Sequence, residues 1–517
     1  MTPVALIIRD GWGYRQDPTG NAVKAAHTPN LNSYLDTRPW TLIEAAGEAV
    51  GLPDGYQGSS EVGHLNMGAG RIVVQELKRI NDGIKDGSLF STGPFQQLID
   101  NCQERWARLH LLGLLQDQGV HAHCDHLFSI MRAVRDRLDA EIIVHVFTDG
   151  RDTPPKSSIE YINELQKVMG DVGDCRVGTL MGRYYGMDRS RNWKLTDIAF
   201  DCIVNAQGRP AESARDAVEE SYAKDETPDH GEMFDEYIPP YVIRGYDGIT
   251  DGDSILHTNF RQDRAIQLSM AFTEDDYPGE RSRCPDCYYV GLTRYYNEFR
   301  NYILEPMGSG SGMANLLGEV ISRCGLKQLR LAETQKFRHV TSFFNGKSTQ
   351  PFPGEHQIEI PSQYDAAMFA SHPEMNAYDV RDKLLALTEE GSPYSLYVVN
   401  FANCDMVGHT GNLEAAIQAV EVVDQCVGDC VKRLSAMDVE ILVTADHGNV
   451  EEMLDPVTNS LKTSHSLNPV ELICIGRGAD GHRLKAGGKL SDIAPTILHL
   501  LGLEAPAEMT AQSLLHS

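Results

Sequence analysis

Short apolar runs rich in Val, Ile and Leu alternate along the chain with longer stretches of helical spacing, which is the pattern of an α/β protein. Val4–Ile8, Ser395–Val399 and Glu440–Val443 each read as a buried strand. Each is followed within a few residues by polar ones: Asp10-Gly-Trp-Gly13, Asn403-Cys-Asp405, and Ala445-Asp446-His447-Gly448. Ligands of an open, mostly parallel sheet bind beyond the carboxyl ends of its strands. Three strand ends far apart in sequence are therefore expected to meet in one crevice. Glu414–Leu434 has helical spacing and is the expected crossover between the last two of these strands.

The middle of the chain repeats the alternation. Glu141–Phe147 predicts a strand, Asp149-Gly-Arg-Asp-Thr-Pro-Pro155 a loop, and Ser157 or Ser158 the cap of a helix running through Met169. Arg176–Met181 predicts a strand ending at Gly182-Arg183, and Ser254–Thr258 one ending at Asn259-Phe-Arg261-Gln-Asp-Arg264 before a helix. Strands here end in arginine, whereas those near the two ends of the chain finish in Asp and His. Gly308-Ser-Gly-Ser-Gly312 reads as a flexible linker, with a counterpart around Val74–Arg79 after Gly68-Ala-Gly70. The expected organisation is one discontinuous domain, residues 1–75 and 312–517, with a second α/β domain inserted at 76–311.

Composition narrows the partners. The 517 residues carry 46 Lys+Arg against 73 Asp+Glu, a formal net charge of −27. Such an acidic chain has no electrostatic footprint for nucleic acid or an anionic membrane. It does not exclude small anions, because a local cluster of arginines can reverse the sign, and it suits divalent cations. Val4–Ile8 is too short for a signal-peptide core, and no apolar stretch approaches the ~20 residues of a spanning helix. The eleven cysteines are scattered, which fits reduced thiols in a cytoplasm. Cys284-Pro-Asp-Cys287 lacks a second ligand pair for zinc, and Cys426 and Cys430 share a helical face.

Candidate chemistry falls into three groups. Asp10, Asp405, His409, Asp446, His447 and His465 combine carboxylate and imidazole ligands suited to Mn²⁺ or Zn²⁺, and less to Mg²⁺. Six ligands exceed the roughly four that one structural zinc takes, so two metals are expected. Ser59-Ser-Glu-Val-Gly-His64 offers a serine beside glycine, weak evidence alone, but metal coordination would supply the activation that a hydroxyl nucleophile needs. Arg151, Arg183, Arg189, Arg261 and Arg264 predict an anion pocket of guanidinium forks, with Arg261 and Arg264 on one helical face. Asp152 adds a carboxylate able to move a proton. His121, His123 and His126 do not share a helix face and read as structural or substrate contacts rather than a further zinc site. From these residues alone a phosphoryl-transfer enzyme, a hydrolase, and a non-catalytic protein binding metal and an anionic metabolite all remain open.

The same motifs, in order, resemble the cofactor-independent phosphoglycerate mutases of the alkaline phosphatase superfamily. The resemblance runs through Asp10-Gly-Trp-Gly, Ser60-Glu-Val-Gly-His-Leu-Asn, Gly119-Val-His-Ala-His, Asp149-Gly-Arg-Asp-Thr-Pro-Pro, Gly182-Arg-Tyr-Tyr-Gly-Met-Asp-Arg189, Asn259-Phe-Arg-Gln-Asp-Arg, Ala332-Glu-Thr-Gln-Lys336, Asp405-Met-Val-Gly-His and Thr444-Ala-Asp-His-Gly-Asn449. It implies a phosphatase-like domain with a mostly parallel sheet and two divalent metals, Mn²⁺ favoured over Mg²⁺, Zn²⁺ or Co²⁺, plus an inserted substrate domain. It assigns Asp405, His409 and His465 to one metal, and Asp10, Ser60, Asp446 and His447 to the other. Ser60 would be the nucleophile that takes the phosphoryl group from 3-phosphoglycerate. His121, Arg151, Asp152, Arg183 and Arg189 would hold glycerate, Arg261, Arg264 and Lys336 would grip the phosphoryl group, and Asp152 would act as acid and base. The resemblance implies a cytoplasmic monomer that uses no bisphosphoglycerate; a phosphatase, phosphodiesterase or phosphopentomutase of the same superfamily is the alternative. The sequence departs from the usual pattern at Ser59, where Asn is common, Gln118 (glycine), Cys404 (proline), and Lys462-Thr-Ser-His465 (a histidine-rich run).

Overall fold

Two eight-stranded sheets organise the chain, one in each of two units, as seen in a computed structural model that describes residues 2–305, 313–389, 391, 393–456, 458–476 and 484–516. The first unit comprises Met1–Gln75 with Gly308–Ser517, the second Glu76–Met307. The glycine-serine linker anticipated at 308–312 lies outside the described residues. Its expected counterpart around Val74–Arg79 is not an extended hinge throughout, because a helix already runs over Glu76–Lys85.

In chain order the strands are β1 (Val4–Arg9) and β2 (Trp40–Glu44) in the first unit. The second holds β3 (Leu109–Leu114), β4 (Ile142–Thr148), β5 (Cys175–Gly182), β6 (Arg209–Ala211), β7 (Tyr241–Ile243), β8 (Ser254–His257), β9 (Tyr288–Thr293) and β10 (Tyr302–Leu304). The first unit resumes with β11 (Gln328–Glu333), β12 (Glu355–Ile360), β13 (Leu396–Phe401), β14 (Glu440–Thr444), β15 (Val470–Ile475) and β16 (Gly488–Lys489).

The first sheet has the order β12-β11-β13-β1-β14-β15-β2-β16. Its first five strands are mutually parallel, whereas β15 runs antiparallel to both β14 and β2. Val4 to Ile8 are wholly buried because β1 is flanked by β13 and β14 and covered on both faces. Burying each Val, Leu or Ile side chain there stabilises the fold by ~1.5–3 kcal/mol. The predicted crossover helix runs over Leu413–Ser435, with Ala416, Ala419, Val423, Val427, Cys430 and Leu434 on its buried face and Asn412 accepting from the Ala415 amide as its cap. It joins β13 to β14 by passing over β1, which lies between them. Among the described residues no helix is long and apolar enough to cross a membrane.

The second sheet has the order β10-β9-β8-β3-β4-β5-β7-β6, parallel from β10 through β5. The fold departs from the sequence pattern at two points. The helix after the Asp149 loop spans Ser158–Val172, but neither serine hydroxyl caps it; Asp235 Oδ2 accepts the Ser157 and Ser158 amides instead, at 2.9 Å each. Arg261 and Arg264 lie in the turn that precedes the helix Ile266–Thr273, so they do not share a helical face.

Candidate active site

In the first unit, four adjacent parallel strands deliver chemistry at their carboxyl ends. β11 leads to Lys336, β13 to Asp405, β1 to Asp10, and β14 to Asp446 and His447. The chain turns at Gly11 with φ +74°, and a Cβ there would lie 2.6 Å from the Asp405 backbone, so glycine is needed for the two loops to meet. Ser60 opens the helix Ser60–Ala69, whose cap is the Ser59 hydroxyl accepting from the Val62 amide. Serine at 59 therefore serves the helix start.

These loops converge on Ser60 Oγ. It lies 3.0 Å from Asp10 Oδ1, 2.9 Å from His447 Nε2 and 2.6 Å from Lys336 Nζ. The Lys336 ammonium also contacts Asp10 Oδ1 and Asp405 Oδ2, both at 2.6 Å. On the other side of Asp405, His409 Nε2 and His465 Nε2 lie 3.2 and 3.1 Å from Oδ1. Ligand atoms of Asp405, His409 and His465, and separately of Asp10, Asp446 and His447, all fall within 4.8 Å of one another.

The donor set fits two divalent cations. Asp10, Asp405 and Asp446 are buried, with Lys336 in contact with the first two, and buried carboxylates persist as anions only when paired or metal-bound. Burial, then the charge of Asp446, pushes the Asp10 carboxyl up to about 7 despite Lys336. Asp446 Oδ2 accepts no hydrogen bond, although His64 Nδ1 is 3.3 Å away. Each of the three histidines has Nδ1 against a backbone carbonyl: Thr463 for His409 at 2.7 Å, Gly58 for His465 at 2.8 Å, and Gly448 for His447 at 3.2 Å. Donating from Nδ1 leaves each Nε2 lone pair aimed at the carboxylates, as a metal ligand requires. Burial opposes charge on Lys336, but Asp10, Asp405 and Asp446 raise its pKa above the ordinary range, so the ammonium persists.

Several residues that support this cluster carried no assignment in the sequence. Asn400 Nδ2 donates to Asp10 Oδ2 at 2.8 Å, and Asn449 Nδ2 to Asp405 Oδ1 at 3.2 Å. Glu451 accepts from the amides of Gly13 and Asn449 at 3.0 and 2.8 Å and from the Ser466 hydroxyl, tying together three ligand-bearing loops. His64 and Asn449 lie inside motifs visible in the sequence, so their spacing held a signal; Asn400 and Glu451 are recruited by tertiary approach alone. Cys404 is buried, and burial pushes its thiol pKa up.

Glu333 sets the start of the helix Thr334–Arg338 that carries Lys336. Its Oε2 accepts from Ser362 at 3.0 Å while Oε1 has no partner, and burial pushes the carboxyl from 4.5 up to about 7. The folded state thus holds a proton that the unfolded chain releases. This contribution is complete below 4.5 and is lost as pH rises towards 7. Glu333→Gln is expected to gain roughly 3 kcal/mol over wild type near pH 8 and little below 4.5. Unfolding midpoints of both proteins at the two pH values check this.

In the second unit, β8, β3, β4 and β5 are also adjacent, and their carboxyl ends deliver Arg261 and Arg264, His121, Arg151 and Asp152, and Arg183. Arg183 is buried and contacts Asp149 Oδ1 at 2.5 Å and Asp152 Oδ2 at 2.6 Å. Arg189 and Arg261 share Asp263, at 2.5 and 3.2 Å, and Arg151 reaches Glu236 at 3.2 Å. Arg264 donates to the Met187 carbonyl at 3.0 Å. Burial, then Arg183, Arg189 and Arg151, lowers the Arg264 pKa to about 10, the signature of gathered guanidinium groups. The arginines are nevertheless balanced by Asp149, Asp152, Asp263 and Glu236. Five arginines against these four carboxylates leave a small positive excess, so the local reversal of sign expected from the sequence is modest; Arg183 is buried and paired, whereas Arg151, Arg189 and Arg261 are about half exposed.

The three neighbouring histidines divide. His121 lies 4.0 Å from Asp152 and 3.7 Å from Asp263, with burial and then Arg183 pushing its pKa down. His123 caps a helix by accepting the Asp125 amide, and His126 bonds Asn81 at 2.7 Å. His123, Cys124 and Asp125 offer close ligand atoms, with His123 Nδ1 already accepting the Asp125 amide and burial pushing the Cys124 thiol up to about 12.

A family profile described as the Metalloenzyme superfamily matches residues 2–505. The chain is 45% identical to a 2,3-bisphosphoglycerate-independent phosphoglycerate mutase of Clostridioides difficile (strain 630), over 99% of each chain. It is 44% identical to one from Methanosarcina acetivorans, over 99% of this chain and 97% of that one. Among solved structures it is similar to a Leishmania mexicana phosphoglycerate mutase studied at low cobalt concentration, with TM-score 0.74, 31% identity, and coverage of 100% of this chain and 98% of that one.

Proposed function

Because this chain belongs to the metalloenzyme superfamily and, within it, to the 2,3-bisphosphoglycerate-independent phosphoglycerate mutases, we propose that Ser60 carries the phosphoryl group while 3-phosphoglycerate and 2-phosphoglycerate interconvert. The enzyme is a metal-dependent isomerase of α/β fold with two mostly parallel sheets. The observation that carries the assignment of Ser60 is its Oγ, held by Asp10, His447 and Lys336 at 2.6–3.0 Å.

Two cations, Mn²⁺ by preference, would be held by Asp405, His409 and His465 and by Asp10, Ser60, Asp446 and His447; when bound they would lower the pKa of the Ser60 hydroxyl and neutralise phosphoryl charge. Ser60 Oγ, reacting in its ionised form and regenerated in that form at the end, forms a bond to phosphorus as the bond to the substrate's C3 oxygen breaks. Asp152 gives that oxygen a proton. Glycerate, held by His121, Arg151, Arg183 and Arg189, then turns so that its 2-oxygen faces phosphoserine. Asp152 takes the proton of the 2-hydroxyl, the new O–P bond forms, and Ser60 is released. Lys336, Arg261 and Arg264 would offset the negative charge of the moving group. Arg183, itself buried, holds Asp152 in place at 2.6 Å, which supports a preoriented proton-transfer group on the glycerate side.

A chain of −27 acting on a small molecule needs no nucleic-acid or membrane partner, and we read it as a monomer. All eleven cysteines are free thiols, which supports a reducing cytoplasm.

Crossover labelling tests the reading. With 3-phosphoglycerate labelled in phosphate mixed with substrate labelled in carbon, the two labels are expected never to combine in one product, since each phosphoryl group returns to the glycerate it left. Statistical mixing, or release of free phosphate faster than isomerisation, would contradict it.

A further inference from the structure

Four polar side chains buried in the second unit's sheet take no part in the chemistry above. His110 Nδ1 and His145 Nε2 lie 2.9 Å apart, His145 Nδ1 lies 2.9 Å from Thr179 Oγ1, and His110 Nε2 lies 3.2 Å from Asp253 Oδ2. His110, His145 and Thr179 are 0% exposed and Asp253 1%, so no bulk water competes for these bonds. With both imidazoles neutral, the chain has a single proton arrangement. Ionised Asp253 only accepts, so His110 carries its proton on Nε2 and accepts on Nδ1. His145 therefore donates from Nε2, and its Nδ1 accepts from the Thr179 hydroxyl. Burial, and for His145 also the neighbouring His110, holds both imidazoles below the ordinary histidine range. Arg108, 3.1 Å from Asp253 Oδ2, and the edge-on ring of Tyr246 complete the surroundings.

The route of this chain gives it meaning. Asp253 immediately precedes β8, His110 is on β3, His145 on β4 and Thr179 on β5, and these four strands are neighbours in that order. They are the same four whose carboxyl ends carry Arg261 and Arg264, His121, Arg151 and Asp152, and Arg183. The β4–β5 register also shifts at His145: Val144 pairs with Val177, but His145 pairs with Thr179, so Gly178 is passed over. A Cβ on Gly178 would lie 2.6 Å from Ile143 Cγ2 and 3.1 Å from His145 Cε1, so glycine there leaves room for the imidazole. Beyond this bulge β5 is advanced by one residue, which sets Gly182 opposite Thr148 and brings Arg183 beside Asp149 and Asp152. A slip of one residue would turn each following side chain to the other face.

We propose that Asp253, His110, His145 and Thr179 form a buried hydrogen-bonded ladder that positions the arginine cluster by fixing the register of the four strands bearing it. None of the four touches substrate; they are positioning residues. The inference rests on reading that cluster as the phosphoglycerate site.

The test compares Thr179→Val, Thr179→Ser and Arg261→Ala, each as the full metal-loaded enzyme, in an assay coupled to enolase, together with unfolding midpoints. Thr179→Val keeps the shape and removes the donor, and is expected to raise KM for 3-phosphoglycerate roughly fivefold to tenfold while kcat changes less. Thr179→Ser keeps the hydroxyl and is expected to restore KM. A Thr179→Val enzyme with wild-type KM and only a lowered midpoint would overturn the proposal, as would an equal rise of KM in the serine variant. Should Thr179→Val fail to fold, His145→Gln, whose amide can serve one neighbour but not both in the same geometry, must raise KM in its place or the proposal falls. If Arg261→Ala leaves KM unchanged, the reading of the cluster fails instead of the ladder.

Discussion

Replacing Ser60 by alanine is expected to reduce interconversion of the two phosphoglycerates by at least about 10⁴-fold, because it removes the nucleophile. Ser60 Oγ is shared by Asp10, His447 and Lys336. Its loss leaves the two sets of three ligands, Asp405 with His409 and His465 and Asp10 with Asp446 and His447, in place. Metal content of the variant is therefore expected to stay close to wild type. Near-complete loss of turnover with metal retained separates a nucleophile from a structural residue. Coupled kinetics and elemental analysis of the same preparation check both halves. A variant that still turns over within about tenfold of wild type would remove Ser60 from the reaction.

The second large effect is removal of the divalent cations. Without them Asp10, Asp405 and Asp446 are buried with one ammonium, Lys336, in contact with Asp10 and Asp405. Chelation is expected to abolish turnover and to lower the unfolding midpoint, since cation binding at a hundredfold excess over Kd adds about 2.7 kcal/mol per site. Returning Mn²⁺ should restore both. Asp405→Asn should act as a permanent version of chelation, because Asp405 Oδ1 is the point where His409 and His465 meet. It is expected to hold less metal and to lose most activity. Full activity in chelator with no metal detectable would contradict the assignment of this cluster.

Much of the metal cluster was legible from sequence for a simple reason. β1, β13 and β14 are continuous apolar runs, and buried parallel strands leave their chemistry to the first polar residues beyond them. β11 was not legible. Gln328 and Arg330 interrupt its apolar pattern, and both are buried only because Gln328 accepts from Arg330 at 2.7 Å and Glu355 of β12 lies alongside. The Lys336 end of the cluster therefore had a motif but no strand beneath it. The arginines were legible as residues but not in their charge state. Glu236 approaches from a distant segment, and the pairing of Asp263 with both Arg189 and Arg261 depends on a turn where a helix was expected. His110 and His145 gave no signal, since a histidine inside an apolar strand is read only once its neighbours across the sheet are known.

The claim that Ser60 carries the phosphoryl group is tested most directly by acid-quenching the metal-loaded enzyme during turnover and locating phosphate by peptide mass spectrometry. Phosphate is expected on the peptide containing Ser60, formed from either phosphoglycerate and absent in Ser60→Ala. Phosphate on another residue, or an active enzyme in which Ser60 is never phosphorylated, would contradict it.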